Sequence, residues 1–221
     1  MNNSDYVGKN ITPPKLIDNI SKIIGTGPDT IKIIKNFMPQ EDVDIFLNFG
    51  KKYAYTLADK THHNVIDGNF FIQDGLEDMW IKYTDLMRKE AEDIYNLKLN
   101  KDRLLDLFVH PEGSYLDAHT DIIDYVQLEV YDQPNLFEEQ KKDWPFLWSG
   151  HLSILCYLND DFDGGILYFP DQGIEIVPEP GMFVCFPGNL HFLHGVTKTT
   201  GATRFTVSLW TKFSDFENKL M

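Results

Sequence analysis

Hydrophobic and polar positions change rhythm near residue 100. From Glu41 to Lys52, Val43, Phe46, Leu47 and Phe49 fall on one side of a 3.6-residue period, after an apolar run from Ile31 to Phe37 that reads as an entry strand. From Leu76 to Leu97 the apolar positions Met79, Trp80, Tyr83, Leu86, Met87, Ile94 and Leu97 recur at threes and fours with charges opposite, which predicts a second, longer helix. Both helices are expected to lean on a sheet. Beyond residue 103 the chain breaks into short runs separated by Gly, Pro, Asn and Asp: Leu104 to Val109, Tyr115 to Asp121, Leu152 to Leu158, Ile166 to Phe169, Gly173 to Val177, Met182 to Phe186, Phe192 to Val196 and Thr203 to Thr211. The pattern predicts a mainly β fold with N-terminal helices, an antiparallel sandwich or jelly roll buttressed by two helices. No repeat or linker divides the chain. It reads as one domain over 1–221, with an arm and supporting helices over 1–100, a jelly-roll core over 101–215 and an insertion over 128–150.

Composition narrows the functions available. Of the 221 residues 43% are hydrophobic and 14% aromatic, enough to drive a packed core. Against 34 Asp and Glu stand 20 Lys and Arg, a net charge of −14 with no basic cluster, which argues against nucleic acid and anionic membranes as partners. No stretch approaches the roughly 18 apolar residues that span a bilayer, and the opening MNNSDYVGKN lacks a signal-peptide layout. The expected location is cytoplasmic. Cys156 and Cys185 lie in apolar runs and read as buried thiols rather than a disulfide.

Tyr115, Asp117, His119 and Asp121 alternate along one predicted strand, so period-two geometry would direct all four to one face. His119 and Asp121 could then share a cation, and a second histidine would complete the facial triad of non-haem Fe(II) oxygenases. An isolated HxD is a weak signal, since many are surface pairs. His191 and His194 both offer the second imidazole; three residues apart on an extended strand, they would point to opposite faces, so only one can join. On the last strand Arg204, Thr206, Ser208 and Trp210 share one face and Phe205, Val207 and Leu209 the other, a cationic stripe opposite a core face. A guanidinium inside a small barrel needs an anion, either an internal acid or a ligand carboxylate. Gly164 and Gly165 supply a tight turn. GxSxG, HExxH and Walker A patterns are absent from the sequence.

Taken in order, HxD, CYLND-x-FDGGxLYFP (Cys156 to Pro170), PxxGxxVCFPG (Pro178 to Gly188) and H-x-VxxxTGxxR (His194 to Arg204) resemble the 2-oxoglutarate/Fe(II)-dependent dioxygenases, in the prolyl 4-hydroxylase-like branch, from about Asp106 to Lys212. The resemblance implies a double-stranded β-helix. It also implies His119, Asp121 and His194 as iron ligands, Arg204 as partner of the distal carboxylate of 2-oxoglutarate, and Tyr157 with Thr206 or Ser208 as further donors to it. His110 stands where many members carry Tyr, and either contacts the cosubstrate or packs beside it. His151 either faces the iron pocket or caps the insertion. The implied chemistry uses Fe(II), 2-oxoglutarate and O₂, with ascorbate as a reductant, and yields succinate and CO₂. Asp121 points to hydroxylation, because halogenases of this superfamily replace that carboxylate with a small residue. A peptidyl proline is the leading substrate, with other side chains and small molecules also open.

The insertion is longer than the family's usual span. Its Trp144, Phe146 and Trp148 form either a flap over substrate or a satellite core. Two alternatives differ in class: a non-catalytic jelly-roll binding module, and a zinc-dependent hydrolase using the same His/Asp/His site. The Arg204 anchor distinguishes them, since neither alternative needs it.

Overall fold

The structure, a computed structural model, describes residues 24–54, 64–121 and 152–214. A short strand β1 (Lys32–Ile34) leads into α1 (Gln40–Ala54), followed by β2 (Asn64–Ile66), α2 (Gly68–Gln73) and α3 (Glu77–Tyr95). Eight strands follow: β3 (Asp106–His110), β4 (Leu116–His119), β5 (Leu152–Tyr157), β6 (Leu167–Phe169), β7 (Ile174–Ile176), β8 (Phe183–Pro187), β9 (His194–Val196) and β10 (Arg204–Thr211). Glu41 and Asp42 begin α1 and Lys51 and Lys52 end it, complementing the helix dipole. Asn96, left-handed at φ 51°, stops α3. Among the described residues no helix is long and apolar enough to cross a membrane.

The strands form two antiparallel sheets. The larger has the order β1-β8-β5-β10-β3-β2, the smaller β4-β9-β6-β7. This is a jelly roll, and its alternation sorts side chains into two cores. One face of the larger sheet (Leu107, Val109, Ile154, Cys156, Phe205, Val207, Leu209) packs on Val43, Phe46 and Phe49 of α1, Phe71 of α2 and Tyr83 and Met87 of α3. Its other face meets the smaller sheet, joining Tyr157, Val184 and Phe186 to Leu167, Phe169, Ile176 and Val196. Both cysteines are free and buried.

Several local expectations are corrected. Among the described residues a third, short helix joins the two expected ones against the sheet. α2 is only six residues long, too short to show a period, and is started by the Asp67 carboxylate accepting from the Asn69 amide at 2.9 Å. The entry strand shrinks to three residues paired with β8. Phe192 belongs to a 3₁₀ turn (Leu190–Phe192) rather than to a strand, because the Asn189 side chain accepts from the His191 amide at 3.1 Å and curls the backbone.

Candidate metal centre and anion pocket

β4 and β9 pair so that His119 and His194 stand directly opposite, with an irregularity in the ladder between Leu116 and His119. That irregularity overturns the single-face reading of Tyr115, Asp117, His119 and Asp121. Tyr115 is 61% exposed and Asp117 is exposed, whereas Asp121, beyond the strand end, is held by its amide donating to the Gly188 carbonyl at 3.0 Å. Asp121 Oδ1 lies 3.7 Å from His119 Nε2, and Oδ2 lies 3.4 Å from His194 Nε2. One ligand atom from each residue falls within 4.8 Å of the other two.

The two imidazoles are fixed from behind. His119 Nδ1 sits 2.7 Å from the Asp117 carbonyl and His194 Nδ1 3.0 Å from that of Phe192. A carbonyl only accepts, so each Nδ1 carries hydrogen, and in the neutral form of either ring the Nε2 lone pair faces the carboxylate. Ser153 Oγ donates to Asp121 Oδ2. Two imidazole lone pairs and one oriented carboxylate are the donor set of a 2-His-1-carboxylate metal site, so these residues fit such a metal. Burial opposes charge on Asp121 but is outweighed by His194, His119 and the Ser153 hydroxyl, which hold the carboxyl below its ordinary range. Burial and the neighbouring His194 push His119 down, while Asp121 overcomes burial and pushes His194 up. A metal ion and a proton compete for these lone pairs.

His191 lies in the 3₁₀ turn, outside the metal-ligand cluster, and its carbonyl accepts from Gln172 Nε2 at 2.5 Å. The opposite-face argument for choosing between the two histidines does not apply, because His191 is not on a strand. Trp144, Trp148, His151 and residues 128–150 lie outside the described residues.

A second set of groups faces the same intersheet space. In register, Arg204 opposes His110, and Thr206 lies between Phe108 and Tyr157. Arg204 is 4% exposed and Tyr157 fully buried, yet Arg204 Nε and Tyr157 Oη have no hydrogen-bond partner among the described residues. The guanidinium carbon is 5.5 Å from the Tyr157 ring centre. Burial raises the Tyr157 hydroxyl and lowers Arg204, each partly offset by the other. Two orphaned buried donors, one cationic, make a site for an anion. Thr206 Oγ1 and His110 Nε2, 3.5 Å apart, flank it, and Ser208 faces the same side one step nearer the metal cluster.

Local devices aim Arg204. Asn159 bridges both sides of it, donating to the Thr203 carbonyl at 2.8 Å and accepting from the Phe205 amide at 2.8 Å. Gly165, at φ +60°, leaves room that a Cβ would fill 2.7 Å from Phe162 and 3.1 Å from Arg204 Cδ. Ser153 opposes Trp210, and Tyr157 opposes Thr206 four residues on, so about 13 Å of strand separates the metal-cluster rung from the anion rung. Sequence reasoning missed Ser153 and Asn159. Ser153 is the polar residue in the run LSILCY, and its alternation with Leu155 and Tyr157 was the available signal.

Residues 105–212 match the family model of the 2OG-Fe(II) oxygenase superfamily. Over an alignment of 63 residues that covers 26% of this chain and only 9% of that protein, the chain is 36% identical to prolyl 3-hydroxylase 1 of Gallus gallus. In fold, the chain is similar to a Pseudomonas putida prolyl-4-hydroxylase (TM-score 0.57, 18% identity, 89% of this chain and 96% of that one). It is also similar to a Phytophthora capsici prolyl 4-hydroxylase (0.62, 17%, 94% and 68%). A third likeness is to the viral collagen prolyl hydroxylase of Paramecium Bursaria Chlorella virus-1 (0.54, 14%, 82% and 94%).

Proposed function

Because residues 105–212 place this chain in the 2OG-Fe(II) oxygenase superfamily, with a 2-oxoglutarate-dependent dioxygenase domain of prolyl-hydroxylase fold, we propose that it hydroxylates a peptidyl proline or another side chain and releases succinate and CO₂. The observation that carries this reading is the pairing of a His/Asp/His cluster with the orphaned donors of Arg204 and Tyr157 in one intersheet space. A cosubstrate with a free carboxylate at its far end satisfies both. The family implies Fe(II), 2-oxoglutarate and O₂, and together these supply the oxidising chemistry that side chains lack.

In this reading His119, Asp121 and His194 hold the metal. The Asp117 and Phe192 carbonyls set the two histidine tautomers, and Ser153 orients the carboxylate. Arg204 and Tyr157 bind the distal carboxylate of 2-oxoglutarate, with Thr206, Ser208 and His110 completing the polar wall. Burial of Arg204, Tyr157, Thr206 and His110 excludes water from that end and strengthens the contact. His119, 35% exposed, leaves the metal end open to substrate.

The prolyl hydroxylases of similar fold motivate proline as the target. Incubation of the full chain with Fe(II), 2-oxoglutarate, O₂ and proline-containing peptides should give a peptide mass gain of one oxygen matched by one succinate. Succinate without any oxidised peptide or other side chain would remove the peptide reading, and peptide cleavage without succinate would replace oxidation with hydrolysis.

A further inference from the structure

The inner wall of the larger sheet carries an acid that the cosubstrate site does not use. Asp106 opposes Ser208 in the β3–β10 ladder, so it shares its face with Phe108, His110, Arg204 and Thr206. Along that face burial falls off in one direction. Arg204, His110, Thr206 and Phe108 are buried, whereas Asp106 and Trp210 are partly open to solvent, which sets them at the mouth. Trp210 packs edge-on against Phe108 at 5.0 Å and opposes Ser153, whose hydroxyl reaches Asp121. Two strand spacings and two residues separate Asp106 from Ser153, about 12 Å between Cα atoms.

The Asp106 carboxylate makes no hydrogen bond or ion pair among the described residues. Burial raises its pKa to about 6, with Arg103 opposing and Asp67 adding to the rise. An ionised carboxylate on a half-buried wall, met by the charge of Arg103 but by no hydrogen bond among the described residues, costs the fold more than it returns, as is usual for groups kept for a ligand. Its neighbours complete the setting for a cation: an aromatic pair on one side and a chain whose net charge is −14.

We propose that Asp106 is a specificity-determining residue that receives a cationic group, an ammonium or guanidinium, on the substrate. The proposal rests on the oxygenase reading above and names a substrate class for it: a peptide with a basic residue near the oxidised one. About 12 Å corresponds to three or so residues of extended peptide, so the basic side chain belongs within about three positions of the target.

The test uses a Gly/Ala heptapeptide with a central proline, carrying either lysine or its uncharged analogue norleucine at each other position in turn. Binding is measured by calorimetry to the full chain loaded anaerobically with Fe(II) and 2-oxoglutarate. In the best register, lysine should bind about tenfold tighter than norleucine, and Asp106→Asn should bring that ratio to about one. Asp106→Asn should also raise the melting temperature near about pH 7.5, and by less near about pH 5, because the penalty of the ionised form is complete above its folded pKa and fades as pH falls through it. Equal binding of the two peptides, including none for either, overturns the proposal while the oxygenase reading stands. A lowered melting temperature in Asp106→Asn overturns it too, since that is the mark of a structural carboxylate. A wild-type chain that fails to bind 2-oxoglutarate with Fe(II) overturns the reading and the proposal together.

Discussion

Arg204 is buried at 4% exposure, and no acid among the described residues pairs with it, which favours a ligand carboxylate over an internal acid as the partner of its charge. In the proposed role, removing it would leave the distal carboxylate of 2-oxoglutarate unpaired in a buried pocket, a loss of roughly 2–5 kcal/mol. Arg204→Ala should therefore weaken 2-oxoglutarate about 30-fold or more in calorimetric titration of the Fe(II)-loaded chain, with Arg204→Lys recovering only part because an ammonium cannot fork. Unchanged affinity would remove its role as anchor. Alternation on β10 made the polar stripe legible, and ordered motifs made the triad legible. What stayed hidden needed the partner strand. Asp106, Phe108 and His110 alternate visibly in the sequence, but only the register with Ser208, Thr206 and Arg204 tells which face they line. The Ser153 contact to Asp121 joins residues 32 apart, beyond any local pattern.

At the scale of elements, both long helices and the eight described strands after residue 103 were legible, because Gly, Pro, Asn and Asp punctuate the strands and the helices have clear apolar faces. β2 and α2, three and six residues long, are too short for a period to appear, the β4 irregularity breaks the period of two, and the 3₁₀ turn at His191 is set by the Asn189 side chain. Helix pairing also has a polar latch. Tyr83 on α3 donates to Asp42 on α1, and Lys82 lies 2.9 Å from the same carboxylate. The Tyr83 hydroxyl, first among causes, and then Lys82 lower the Asp42 pKa. Stability from this latch is present above the ordinary aspartate range and is lost as pH falls through the lowered folded value. Tyr83→Phe should cost about 1 kcal/mol at neutral pH, a modest figure because water reaches Asp42. Thermal melts should show that difference shrinking under acid; a difference independent of pH would assign it to packing instead.

Over the whole molecule, helices brace one face of the larger sheet and leave the other to build a site with two chemically distinct ends. The metal cluster lies toward the smaller sheet and the anion pocket deep on β10, and strand register alone fixes their separation. The measurement that tests this arrangement most directly is an anaerobic optical titration of the full chain with Fe(II) and 2-oxoglutarate, followed by O₂ and succinate determination. The account predicts a visible metal-to-ligand charge-transfer band that needs both components, decays with O₂ as succinate appears, survives His191→Ala and is lost in His119→Ala, Asp121→Ala and His194→Ala. No band in the wild-type chain, or a band that survives His194→Ala but not His191→Ala, would contradict it.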